Sequence, residues 1–170
     1  MKKHRTRSGS SAELHEFGLG AAARAIRNGE VSSETYVGKL LERARAHADL
    51  KAFITIDEAS VLQAARRADR SLRAGLRAPL LGVPLAVKDS YLTQGLTTTF
   101  GTSVLATFKP KRDAVAVAAV KDAGVIIFGK NNLVDMSYGL TGLNAHHGQA
   151  QRNRLRAPAA LKEIARSVYL

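Results

Sequence analysis

The sequence contains no cysteine, no tryptophan and few aromatic residues, which make up 5% of its 170 residues. Without cysteine the chain has no disulfide, no thiolate metal ligand and no thiol nucleophile, and this composition fits a reducing compartment. No apolar run approaches the roughly 18 residues that a membrane helix needs. The basic N-terminal stretch is not followed by an apolar segment, so it does not resemble a signal peptide. We therefore expect a cytoplasmic protein with no membrane partner.

Positive charge is in excess, with 26 lysine and arginine residues against 14 acidic residues and a net charge of +12. Such a balance raises the question of nucleic-acid binding. The basic residues are spread along the whole chain, however, and no aromatic residues alternate with them. Solvated helix faces explain this distribution. A nucleic-acid partner is therefore not expected, and a basic nucleic-acid-binding module is kept as an alternative function.

The length predicts one domain with a sizeable core. Residues 1–10 are predicted to form a disordered basic tail. Over residues 11–150, helical patterns alternate with short apolar runs that end at glycine or polar residues. This alternation predicts an α/β fold whose mixed sheet is covered by helices. Residues 151–170 break the pattern, because they are basic, become helix-like and bring no further strand, so the sheet is expected to be incomplete at its C-terminal end.

Three helix starts are predicted from N-capping residues. Ser11 would begin a helix that ends at Gly29, Ser33 would begin a second helix, and Asp57 would cap a third over residues 58–74. The second helix carries an apolar stripe at i, i+3, i+4 and i+7 spacing. The stripe consists of Val37, Leu40, Leu41 and Ala44.

Lys88 is the candidate for chemistry, because it ends the apolar run LLGVPLAVK of residues 80–88. If this run is a buried strand, the ammonium meets a low dielectric, which disfavours its charged form and makes the amine a usable base. A lysine can activate a serine nucleophile in this way. The alternative is structural: Lys88 pairs with Asp89 or extends its ammonium to the surface. The residues alone leave both interpretations open.

Two other motifs carry weaker signals. GVIIFGKN, residues 124–131, nearly spells a phosphate-binding loop, but Asn131 stands where that loop needs serine or threonine, and its middle residues are strand formers. The adjacent His146 and His147 have no carboxylate at ligand spacing. We therefore predict neither a nucleotide site nor a metal site.

Several segments, in order, resemble the amidase signature family. GVPLAVKD matches the family block that carries its catalytic lysine, and DAGVIIFGKNN through NAHHGQ matches the next block. The upstream IRNGEVSS is similar to the lead-in to these blocks. The resemblance covers about residues 11–150, which we therefore assign to the N-terminal part of an amidase domain.

The resemblance implies hydrolysis of a carboxylic amide C–N bond by a Ser–cisSer–Lys mechanism, without metal or cofactor. Lys88 would be the base, and a small-molecule amide would be the substrate. The turn formed by Met136, Ser137, Tyr138 and Gly139 would lie along the substrate pocket. An alternative within the family is a fragment similar to the A subunit of a tRNA-dependent amidotransferase.

The family's two serine motifs are not recognisable in this sequence. After Gln151 the remaining serine is Ser167, and it has no neighbouring glycine to permit the tight backbone of a nucleophile turn. RLRAPAAL faintly resembles the segment that carries the nucleophile, with Arg154 in the place of the serine. We expect a truncated and inactive fragment that arose by deletion or by a frameshift near residue 151, and the downstream DNA would distinguish these two origins.

Overall fold

Helices and strands alternate along residues 14–139 and 143–151, which are the residues that the computed structural model describes. The four α-helices of this part are α1 (Leu19–Arg27), α2 (Ser33–Ala46), α3 (Glu58–Arg73) and α4 (Val115–Asp122). The three strands are β1 (Phe53–Thr55), β2 (Pro84–Lys88) and β3 (Ile126–Asn131). Short 3₁₀ turns lie at Leu14–Glu16, Ala48–Leu50, Ser103–Leu105 and Asp135–Ser137.

The strands form one mixed sheet in the order β1–β3–β2. β2 runs parallel to β3, whereas β1 runs antiparallel to it. The parallel pair is connected by the long segment that contains α4, as a parallel connection requires. The predicted α/β fold with a mixed sheet is confirmed.

Helices α2 and α3 pack together on β3 and form the main apolar core. The predicted stripe of α2 supplies two of its fully buried members, Val37 and Leu41, while Leu40 and Ala44 pack at its margin. The core is completed from α3 and β3 by Val61, Ala65, Ala68, Ile126 and Phe128. Spacing of 3.6 residues on the helices therefore places their apolar faces against the strand as predicted.

The predicted helix starts are correct at one of the two sites that can be compared. Asp57 caps α3, and its carboxylate accepts a hydrogen bond from the Ser60 amide at 3.1 Å. At α2 the cap is Ser32, which accepts from the Thr35 amide at 3.0 Å. The prediction of Ser33 was wrong by one residue, because the Ser33 hydroxyl is buried and donates to the Gly82 carbonyl at 2.6 Å.

The first predicted helix is shorter than its pattern indicated. α1 begins at Leu19, after Gly18, which provides no side-chain cap. Ser11, the predicted cap, lies outside the described residues, as do residues 1–10 and 152–170 with Arg154 and Ser167. The disordered tail expected for residues 1–10 and the divergent C-terminal segment expected from residue 151 onward therefore remain predictions.

Gly124 ends α4 in a Schellman motif that leads directly into β3. Its amide donates to the Lys121 carbonyl at 2.8 Å, and the Val125 amide donates to the Val120 carbonyl at 3.1 Å. Its φ is +96°, and a Cβ built there would lie 2.7 Å from the Leu81 Cα atom. Glycine is thus required both for its conformation and for the close approach of the segment before β2.

We expect Gly124→Ala to lower the free energy of unfolding by about 3 kcal/mol, combining left-handed strain with overpacking against backbone. Gly75→Ala is the matched control, because Gly75 also follows a helix at φ +89° but has open space around it. The control should lose only about 1–2 kcal/mol. Urea unfolding of the two variants measures the difference. Equal losses would show that the contact with Leu81 does not restrict the site.

Candidate active site

Lys88 lies at the carboxyl edge of the parallel strand pair. It is the last residue of β2 and is paired in register with Asn131, the last residue of β3. The ladder continues one step further, because the Asp89 amide donates to the Asn131 carbonyl at 3.1 Å. The carboxyl ends of parallel strands are where α/β folds place their ligand sites.

The Lys88 side chain is half-buried. Within the described part of the chain, no hydrogen bond or ion pair joins its ammonium to another residue. The structural alternative that paired Lys88 with Asp89 does not hold, because the fully buried Asp89 carboxylate pairs with another lysine. Neighbouring side chains of an extended strand point to opposite sides, which separates the two groups.

The lysine that pairs with Asp89 is Lys130, in β3. Its side chain is fully buried, and its ammonium lies 3.5 Å from Asp89 Oδ1. The ammonium also donates to the Tyr91 carbonyl and to the hydroxyls of Thr93 and Thr98, each hydroxyl at 3.0 Å. Burial lowers the pKa of Lys130, and the Asp89 carboxylate opposes that shift.

The other Asp89 oxygen is held by Thr99. The Thr99 amide and hydroxyl both donate to Asp89 Oδ2, at 2.8 and 2.5 Å. Together with Thr93, Thr98 and Lys130 these residues form a buried polar cluster beneath the carboxyl edge of the sheet. Because Lys130 is enclosed inside a strand, it cannot hold a phosphate group, and GVIIFGKN is not a phosphate-binding loop.

Two further segments are tied to the loop that carries Thr99. The Met136 amide donates to the Phe100 carbonyl at 2.8 Å. Asn144 donates through Nδ2 to the Gly101 and Leu133 carbonyls, both at 2.8 Å. The segments around residues 99–101, 133–136 and 144–147 thus meet next to the strand ends that carry Lys88.

The predicted substrate-pocket turn is exposed and strained. Tyr138 is 91% exposed, and Met136 is 58% exposed. Met136 and Ser137 have φ of +52° and +59°, and Gly139 has +146°. Non-glycine residues in the left-handed region cost of order 1 kcal/mol or more and cluster at functional sites. The geometry fits a ligand-contacting turn, and its assignment to a substrate pocket stays a prediction.

The two histidines have different surroundings. His147 Nε2 lies 3.4 Å from the Thr99 hydroxyl, whereas His146 Nε2 lies 3.8 Å from the Asp135 carboxylate. The backbone amides of both residues donate to Asn144 Oδ1, at 2.9 Å for His146 and 2.8 Å for His147. Across residues 14–139 and 143–151, no three histidine or acidic side chains converge as metal ligands would.

A protein-family model for amidases matches residues 35–154, most of the chain. The chain belongs to the amidase signature family. Similar curated members include the A subunit of the glutamyl-tRNA(Gln) amidotransferase of Desulforapulum autotrophicum, which is 45% identical over 134 residues. The protein of the same name from an Azoarcus species is 42% identical over 131 residues. The matches cover 78% and 76% of this chain but 27% of each amidase relative, so the chain spans about a quarter of their length.

Solved amidase structures share the fold. The peptide amidase of Stenotrophomonas maltophilia is 31% identical with a TM-score of 0.73, covering 80% of this chain and 30% of that protein. A fatty acid amide hydrolase, at 18% identity, has the same fold with a TM-score of 0.78, covering 85% and 26%. In the described part of this amidase-family chain, no helix is long and apolar enough to cross a membrane.

Sequence reasoning missed the buried polar cluster, although one signal for it was present. Lys130 ends an apolar run in the same way as Lys88 does, so both lysines raise the same question. Asp89 offered a carboxylate to pair with Lys130, and Thr93 and Thr98 offered hydroxyl acceptors for its ammonium.

Proposed function

We propose that this chain carries the general base of an amide-hydrolysing site and that Lys88 is that base. The supporting observation is its placement at the carboxyl edge of the parallel pair, where the adjacent carboxylate is already taken by Lys130. The Lys88 amine is therefore left without a carboxylate partner among the described residues, whereas Lys130 is enclosed in the buried polar cluster.

In the reaction that we propose, Lys88 takes a proton through a serine held in a cis peptide from a second serine. The second serine attacks the amide carbonyl, and backbone amides stabilise the oxyanion. The amine leaves with a proton, and water then hydrolyses the acyl-enzyme. The exposed turn at Met136–Gly139 would contact the substrate. Neither serine is recognisable in the 170 residues, so we propose that this chain supplies the lysine part of the site and is inactive as it stands.

A narrower candidate is a role like that of an amidotransferase A subunit. It is favoured by the identity of 45% to the Desulforapulum autotrophicum protein, compared with 31% to the peptide amidase. On this proposal the chain would act within a complex and on a carboxamide whose nitrogen is transferred. Comparing glutamine with peptide amides as substrates of a reconstituted site would separate the two candidates.

We expect the purified chain to hydrolyse no amide and to remain unlabelled by a fluorophosphonate probe, because that probe reports an activated serine. The Stenotrophomonas maltophilia peptide amidase serves as the positive control in both assays. Labelling at any serine, together with turnover that disappears in Lys88→Ala, would contradict the proposal that the chain is inactive. It would also show that the chain provides a nucleophile of its own.

A further inference from the structure

The ammonium of Lys130 has its hydrogen-bonding capacity filled by one segment. An ammonium has three donors, and its three acceptors are the Tyr91 carbonyl and the hydroxyls of Thr93 and Thr98. All three lie within the ten residues that follow Lys88. Lys130 therefore anchors the loop that leaves β2 to the middle of the sheet.

The anchoring reaches the backbone of Lys88 through one residue. The Tyr91 amide donates to the Lys88 carbonyl at 3.0 Å, and the Tyr91 carbonyl accepts from Lys130. The turn 88–91 is thus closed by the first bond and fixed to β3 by the second. Since no described residue holds the Lys88 ammonium, its direction depends on this backbone.

Lys130 also acts through its charge, which pairs with the Asp89 carboxylate. Asp89 directly follows Lys88 and is fully buried, and its Oδ1 atom has no hydrogen-bond partner among the described residues; the Lys130 ammonium, 3.5 Å away, forms an ion pair with it. A buried carboxylate needs a cation. If Lys130 were absent, the turn 88–91 would lose its anchor to β3, and Lys88 would be free to turn from the opposite side of the strand toward the Asp89 carboxylate.

We propose that Lys130 is a positioning residue for Lys88. It anchors the turn that carries Lys88, and it occupies the Asp89 carboxylate so that the Lys88 ammonium stays unpaired. Asp113 and Lys121 also act on Lys130 electrostatically, but with opposite signs and more weakly than Asp89. The inference rests on the proposed role of Lys88 as base, and it is tested by measurements that need no turnover.

The test compares the acylation rate of Lys88 in the full chain and its variants, using an acetyl N-hydroxysuccinimide ester and mass spectrometry. The neutral amine attacks the ester carbonyl and N-hydroxysuccinimide leaves, so pairing with a carboxylate slows the reaction. We expect Lys130→Met to slow acylation of Lys88 roughly tenfold, since a carboxylate within about 4–6 Å typically shifts an ionisation by a unit or more. Asp89→Asn/Lys130→Met should restore the rate, and Lys39, on α2, is the internal reference.

A purely structural role predicts the opposite direction. If the loop only loosened and Lys88 did not move to the Asp89 carboxylate, Lys88 would become more exposed and its acylation would be faster in both variants. An unchanged or faster rate in Lys130→Met would therefore overturn the proposal. If Lys88 fails as a base in turnover assays while these rates change as expected, the proposed function is wrong and the positioning of Lys88 stands.

A measurement on the unaltered chain keeps the proposal falsifiable if Lys130→Met does not fold. NMR of lysine side-chain nitrogens should show protected ammonium protons for Lys130 and a hydrogen-bond correlation to the Tyr91 carbonyl carbon. The Lys88 ammonium should exchange rapidly. A correlation between the Lys88 nitrogen and the Asp89 carboxyl carbon would overturn the proposal.

Discussion

Replacing Lys130 with methionine should lower the free energy of unfolding by about 3–5 kcal/mol, the usual cost of removing one member of a buried ion pair. Methionine fills much of the volume of the lysine stem, so the loss comes from charge and hydrogen bonding. The substitution removes the buried cation that pairs with the Asp89 carboxylate, and it leaves three oxygens, of Tyr91, Thr93 and Thr98, without their donor. Urea unfolding followed by circular dichroism measures the change.

Two controls identify the cause. Lys39→Met removes a lysine from an exposed pair with Glu42 on α2 and should cost no more than about 0.5 kcal/mol. Asp89→Asn/Lys130→Met removes both charges of the buried pair and should recover part of the loss. If Lys130→Met were as stable as Lys39→Met, the polar cluster would contribute little to the fold.

The elements that carry these lysines could be predicted because their patterns are local. The stripe of α2 follows helical spacing, and the runs that become β2 and β3 are apolar and bounded by glycine. Asp57 is followed by a helical pattern and caps α3. Two adjacent serines stand at the start of α2, and a tertiary hydrogen bond determines which of them caps the helix. The Ser33 hydroxyl donates to the Gly82 carbonyl, so Ser32 is the cap.

The pairing of Asp89 could not be predicted in the same way. The chain offers two lysines at the ends of apolar runs, one next to Asp89 and one 41 residues later. Sequence proximity favours Lys88 as the partner of Asp89. In the sheet, however, Lys130 is in register with Val87, and the Lys130 ammonium lies 3.5 Å from the Asp89 carboxylate. Which lysine becomes the structural cation and which remains unpaired depends on strand pairing, which no local pattern specifies.

The second large effect concerns catalysis and requires an intact set of serines. The chimera that we design has residues 14–151 of this chain in place of the matching segment of the Stenotrophomonas maltophilia peptide amidase, whose structure matches 80% of the chain. In such a chimera Lys88→Ala should lower kcat by roughly 10²–10⁴, the contribution of a positioned general base. KM should change little, because the ammonium is not proposed to bind the substrate.

The matched control in the chimera is Lys39→Ala, which removes a lysine from the surface of α2 and should leave kcat unchanged. Lys88→Arg is a second comparison, because an arginine side chain keeps a positive charge but does not give up its proton. It should be as inactive as the alanine variant. Circular dichroism of each variant confirms that the fold is retained.

The most direct test of the proposed function is the ratio of kcat for hydrolysis of a peptide amide by the chimera to kcat for its Lys88→Ala variant. We predict a ratio of at least about 100, consistent with loss of a general base, with similar KM values and no effect of Lys39→Ala. An active chimera whose Lys88→Ala variant turns over equally fast would contradict the assignment of Lys88 as the base.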